Sequence, residues 1–376
     1  MKHASPLTLA ALAVAGLASA PAMALEVYNN KGWSLDISGS VNAFYTTSKT
    51  EQSSRSSQIE NGLLPGYFNI TAATQQRGWD IKGVIGIWPG LDSDSPALAS
   101  ATAGVGKSTV DARTNYLSFG KPNVGTFKFG RDVGLFQSNA ILNDMTLIGV
   151  GGGGGQARNI NTTLGGIGAG YIYAEFQPQI TYTTPKFNGF SATIGAFDNK
   201  DVNGAGKTGR NVGYQGQALY EFKNNTLSGK AWLGFVNQKF NLIRSNNATG
   251  FEFGAKMDIG NLGLMAEGFT GKGIGDTILF SGGTDALGQN RRSDGYLLQA
   301  TYKFDDLKLG LSHGESRTKR TGTEGSGYAN RVVGTTLGGY YSLTDNLTLV
   351  GEVNRRTNKV TNRDTDGVSL GAILFF

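Results

Sequence analysis

Few residues in this chain have the types and spacing to do chemistry, and one group stands out. Ala101 to Thr109 reads ATAGVGKST, so Ala101, Gly106, Lys107 and Ser108 fit a relaxed phosphate-loop pattern. In such a loop glycine amides cradle phosphates, the lysine reaches toward them and the hydroxyl holds a magnesium ion. A working version joins a buried strand to a helix whose N-terminus adds its dipole. Here a polar stretch, WPGLDSDSPALAS, comes before the motif and an alternating stretch, TVDARTNYLSF, follows it. That context argues against a nucleotide site.

The remaining groups offer less. Asp92 and Asp94 in DSDSP lack the spacing of a calcium loop. The chain has no cysteine, which removes disulfides and thiolate metal sites. Beyond His3 the only histidine is His313, so neither a histidine zinc site nor a Ser-His-Asp triad can be assembled. His313 falls on the outward face of its strand. Glu175 and Lys230 read as charges on an inward wall rather than as catalytic groups. No cofactor, metal or nucleotide is expected. Lys and Arg are scattered rather than blocked, which gives no nucleic-acid surface despite a formal charge of +6.

The elements that would carry these residues are strands. Residues 1–24, MKHASPLTLAALAVAGLASAPAMA, place Lys2 ahead of a short apolar run that closes on Ala22-Met23-Ala24. This is the layout of a cleaved secretory signal peptide, with residues 25–376 as the exported domain. In that domain nearly every segment alternates with a period of two, the mark of a strand with two different faces. In WSLDISGSVNAFY, Trp33, Leu35, Ile37, Val41 and Tyr45 oppose Ser34, Asp36, Ser38, Ser40 and Asn42. Short turns rich in Asn, Asp, Gly and Pro alternate with long polar connections at 48–61, 90–108, 132–169, 200–211, 240–249, 274–292, 317–329 and 359–365. The pattern predicts sixteen antiparallel strands of about ten residues, an all-β transmembrane barrel. Aromatic residues at strand ends suit interfacial girdles, and hydrocarbon demands a closed sheet because no backbone amide can go unpaired there. The last strand, DGVSLGAILFF, places Val368, Leu370, Ala372, Leu374 and Phe376 on one face and resembles the assembly signal of outer-membrane barrels, with Phe376 as its terminal aromatic.

Arg113 to Asp132, RTNYLSFGKPNVGTFKFGRD, makes the likeness specific. Tyr116, Val124-Gly125-Thr126 and Phe129-Gly130-Arg131 resemble the Gram-negative trimeric porin family, in its beta-proteobacterial style. The likeness resumes at Gly170 to Phe197. It implies a sixteen-stranded homotrimeric barrel in the outer membrane, among lipid and lipopolysaccharide. It also implies a third loop folded inward to narrow a water-filled channel for passive diffusion of small hydrophilic solutes and ions. Segment 132–169 is third among the long connections and the longest, which alone marks it as functional.

On this resemblance Arg131 keeps a basic wall position of the family and Asp144 lies on the third loop, so the two are expected to face each other across the lumen. Gly151, Gly152, Gly153, Gly154 and Gly155 would lie flat beside them. Phe127 and Phe129 share the strand phase of Arg131, so this placement needs a bulge at Gly130. By parity the other inward candidates are Ser40, Asn42, Tyr67, Thr71, Lys82, Tyr173, Glu175, Gln177, Lys230, Glu252, Lys256 and Glu352. Their signs nearly balance, which predicts weak ion selectivity. Two other readings are a substrate-selective channel, suggested by inward aromatics such as Tyr67 and Tyr173, and a plugged surface receptor or adhesin. Block by one solute would mark the first, and absence of conductance the second.

Overall fold

The computed structural model describes residues 24–91, 110–152, 162–199, 211–241 and 245–376. The phosphate-loop match, the DSDSP acidic pair, Gly153 to Gly155 and the proposed signal segment up to residue 23 lie outside them. The strands are β1 (Leu25–Asn30), β2 (Trp33–Thr50), β3 (Arg55–Glu60), β4 (Tyr67–Gln76), β5 (Trp79–Pro89), β6 (Val110–Lys121), β7 (Gly125–Val133), β8 (Phe176–Thr183) and β9 (Phe190–Phe197). They continue as β10 (Gly213–Lys223), β11 (Leu227–Asn241), β12 (Ser245–Ile259), β13 (Leu262–Lys272), β14 (Arg292–Phe304), β15 (Leu307–Lys319), β16 (Asn330–Ser342), β17 (Leu347–Asn358) and β18 (Arg363–Phe375).

These segments make a closed barrel of sixteen staves, because two staves are each built from two segments. Along one edge of β2, β4 pairs with Trp33–Ser40 and β3 with Phe44–Lys49. Along its other edge, β18 pairs with Ser40–Thr50 and β1 continues the row, with Leu25 opposite Ile37. Phe376 joins that seam by exchanging backbone hydrogen bonds with Gly39 at 2.7 and 3.0 Å. From β4 to β18 each strand pairs antiparallel with the next, and β18 returns to β2.

The two faces separate as the alternation predicts. Val41, Ile85, Leu233 and Leu370 point outward and are about 60% exposed, an unbroken apolar surface that no soluble sandwich would leave wet. Rings gather beside the short turns, with Phe190 on Tyr220 at 4.3 Å, Tyr302 on Phe304 at 4.6 Å and Phe127 on Tyr182 at 4.9 Å. The tightest turns are two-residue hairpins. Lys31-Gly32 and Arg77-Gly78 both hold positive φ, the condition for a turn whose twist matches its strands.

Several expected loops prove to be strand. Pairing reaches Thr50 and resumes at Arg55, reaches Asn241 and resumes at Ser245, and reaches Asn358 and resumes at Arg363. Polar composition hid these extensions, since strands that rise above the hydrocarbon need no apolar face. The third long connection runs later than expected. Asp132 and Val133 still pair with β8, while Tyr171 to Glu175 are not strand. It therefore spans 134–175.

Candidate functional site

Segment 134–175 enters the lumen and is fastened there, strand by strand, through its own backbone. It opens with a short helix, α1 (Ser138–Asn143), followed by a 3-10 turn at Met145–Ile148. On β10, Gln215 Oε1 accepts from the amides of Leu135 and Phe136 at 2.8 and 2.9 Å. On β12, Glu252 Oε2 accepts from the Gln137 amide at 2.7 Å and from its side-chain Nε2 at 2.8 Å. The same Nε2 reaches Glu267 of β13 at 3.4 Å. On β14, Gln299 Oε1 accepts from the Met145 amide at 2.7 Å while its Nε2 donates to the Asn143 carbonyl at 3.0 Å. On β17, Glu352 Oε2 accepts from the amides of Val150 and Gly151 at 2.9 and 2.7 Å, and Tyr340 donates to its other oxygen. Arg356 donates to the carbonyls of Gly152 and Ile167. Charged acceptors make such bonds worth roughly 1.5–3 kcal/mol each.

Apolar packing sits beneath this polar fastening. Ala140, Ile141, Leu147, Ile167 and Tyr171 of the segment pack on Trp232, Met265 and Leu297 of the wall, with Leu63 beside them. Leu63 belongs to residues 61–66, which leave the wall between β3 and β4 and hydrogen-bond the segment at Gly149 and Leu147. A second connection, 273–291, also turns in. Its Ile274, Leu279 and Phe280 bury against Phe136 and Ile172, and Tyr173 pairs with it through Thr277. Sequence reasoning missed this loop, although three large apolar residues in a polar connection were the available signal.

A Gram-negative porin family model matches residues 8–361. The chain belongs to the Gram-negative porin family. It is an outer-membrane channel for passive diffusion of small hydrophilic solutes and ions. Solved porins share its fold. An anion-selective porin from Comamonas acidovorans is 17% identical, with a TM-score of 0.66 over 92% of this chain and 100% of that one. A Salmonella typhi OmpF complex with daunomycin is 18% identical, with a TM-score of 0.63 over 94% and 100%. The trimer form of OmpT from Vibrio cholerae is 13% identical, with a TM-score of 0.58 over 92% and 100%. No curated protein matches the sequence.

Within this porin the Arg131–Asp144 pair does not form. Pairing through β7 is unbroken on both sides, with Arg131 opposite Asn115 and Pro178, so no bulge arises at Gly130. Arg131 therefore keeps the outward phase of Phe127 and Phe129, and its Nε donates to the Ala112 carbonyl at 3.1 Å. Asp144 is buried within the segment. It accepts from the amides of Thr146 and Gly166 and from Tyr171 Oη at 2.7 Å. Burial pushes its carboxyl above the usual range, against those hydrogen bonds, and lifts the Tyr171 phenol well above its own.

The other candidates divide into fasteners and open wall. Ser40 and Asn42 hold the carbonyls of Pro65 and Leu64. Tyr67 stacks on Trp88 at 5.1 Å. Gln177 is buried with its amide on the Ala174 carbonyl. Gly151 bridges Gly165 and donates to Glu352, and Gly152 accepts from Arg356. Tyr173 and Glu175 are loop residues rather than strand residues, and Glu175 holds a positive φ. Glu252 and Glu352 do point inward, yet the segment covers them, so they do not line open water as parity alone implied. Thr71, Lys82, Lys230 and Lys256 remain half-buried on the inward face. Beside Lys82, Lys128 pairs with Asp132 at 2.5 Å, and both lysines lie near the Tyr116 ring.

Proposed function

We propose that segment 134–175 forms the narrowest point of this channel and that conduction favours anions modestly. The observation that carries this reading is the set of wall side chains on β10, β12, β14 and β17 that hold the segment's main chain across the lumen. The anion preference follows from what the segment covers. Glu252, Glu267 and Glu352 lie beneath it, whereas Lys82, Lys230 and Lys256 stay partly open on the inward wall. Counting inward charges without the segment in place overstates the acidic side. The likeness to a porin titled anion-selective points the same way.

Deleting Gly151 to Gly155 and recording single channels in planar bilayers tests the placement. Altered conductance with an intact oligomer is expected; unchanged conductance would put the narrowest point elsewhere. A potassium chloride gradient should give a reversal potential on the chloride side of zero.

The same reading includes cleavage after Ala24, a homotrimer, and an outer surface in contact with lipopolysaccharide. The trimer is supported by the OmpT neighbour, solved in a trimer form. Unheated electrophoresis in dodecyl sulfate should show a band near three times the mature mass, and a single monomer band there and after cross-linking would rule it out.

A further inference from the structure

A cavity of about 350 Å³ opens on the inward wall toward the short-turn end, beneath the last residue of α1. Asn143 forms its roof, and Glu221, Ser228, Lys230, Lys256 and Asp258 form its sides. Lys230 and Lys256 stand directly opposite each other on β11 and β12, in phase with the inward-facing Glu252. Opposite residues of an antiparallel pair hold their side chains within about 5.5 Å, and two like charges there repel.

The nearby carboxylates do not resolve that repulsion. Glu221 is opposite Lys230 on β10, but its carboxylate is taken by Lys186 of the adjoining turn at 2.8 Å. Asp258 comes no closer to Lys256 than 3.9 Å. Among the described residues, Lys230 has no carboxylate within ion-pair distance, and the Ser228 hydroxyl makes no protein hydrogen bond. Two ammonium groups, a hydroxyl and the roof amide therefore converge on one water-filled space with donor capacity to spare. Several directional donors suit an acceptor with more than one oxygen better than a spherical halide.

We propose that this cavity is a resting site for small oxyanions, a carboxylate or phosphate group bridging Lys230 and Lys256, on the short-turn side of the narrowing segment. The proposal rests on the channel reading and adds a station to it. A solute held there has passed the segment or is about to enter it, so the site concentrates oxyanions at one mouth of the pore rather than at its waist.

The test is the concentration dependence of single-channel conductance for the full protein in potassium acetate, potassium phosphate and potassium chloride. Acetate or phosphate conductance should saturate over a range in which chloride conductance still rises in proportion. Lys230→Gln with Lys256→Gln should raise the half-saturating concentration by about tenfold, the loss of one charge-assisted contact. Lys230→Arg should keep the saturation, and the unheated oligomer band would show that each variant has folded. Saturation by acetate alone assigns the site to organic carboxylates, and saturation by phosphate alone assigns it to inorganic phosphate. Three results would overturn the site while leaving the channel intact: proportional conductance in all three salts, equal saturation in chloride, or saturation indifferent to the double substitution. Absence of any current in potassium chloride would instead overturn the channel reading itself.

Discussion

The barrel wall and segment 134–175 are held by opposite means. In the wall, backbone bonds to backbone, each amide meeting a carbonyl on the next strand, and side chains only choose between lipid and lumen. In the segment, backbone bonds to side chains, and those side chains belong to strands more than a hundred residues away, as with Gln137 on Glu252 and Gly151 on Glu352. The wall is thus specified by local pattern. The segment is specified by a few long-range acceptors, and it can be loosened without opening the barrel.

Four changes probe that contrast, the largest effect first. At the seam, a Cβ on Gly39 would lie 2.5 Å from the Tyr67 carbonyl and 2.6 Å from the Phe376 ring. Because the carbonyl is part of the ladder and cannot swing aside, Gly39→Val should abolish the heat-modifiable folded band on gels. A normal yield of folded protein would show that the seam tolerates slack.

Glu352→Ala removes the acceptor for two amides and for Tyr340, and should cost about 2–4 kcal/mol of anchoring. Barrel melting should hardly move, while open-channel current rises and flickers and protease cuts within 134–175. Glu352→Gln keeps an oxygen for the amides and should lie between. Wild-type currents in both variants would mean that the segment does not depend on this tether.

Asp144 gives a smaller, pH-dependent effect. Its folded pKa is raised above the unfolded one by burial. Its stabilising contribution is therefore full below the unfolded pKa and is lost as pH rises through the folded pKa. Protease resistance of the segment should increase on acidification in the wild type relative to Asp144→Asn, in which this group no longer titrates. Parallel pH profiles for the two would show that the carboxyl is already protonated or is not buried in solution. Last, Arg131→Ala should leave the reversal potential unchanged, since its side chain points away from the lumen; a shift toward cations would restore Arg131 to the pore.

Most of the wall was legible in the sequence because strand phase repeats every two residues and each short turn carries its own chemistry. The phase of Phe127 and Phe129 was itself enough to turn Arg131 outward; the resemblance argued against it, and the ladder settled the matter. Parity also placed Glu252 and Glu352 inward, but nothing local to them says whether water or a folded segment lies above. Asp144 shows the same limit. Its partners Gly166 and Tyr171 lie beyond an intervening glycine run, and no periodic signal links them. What sequence could not convey was which inward groups would be covered, and that depends on contacts closed over long stretches of chain.

The donors that fasten the segment to Gln215, Glu252 and Glu352 are largely main-chain amides, which any residue except proline supplies. Mutational freedom is therefore uneven along the chain. Residues of the segment that face the water can be exchanged during evolution while the anchors remain, provided they keep the local backbone shape. A lineage can in this way drift from one permeating solute to another through substitutions at the waist, with three wall side chains as the part that selection must hold fixed.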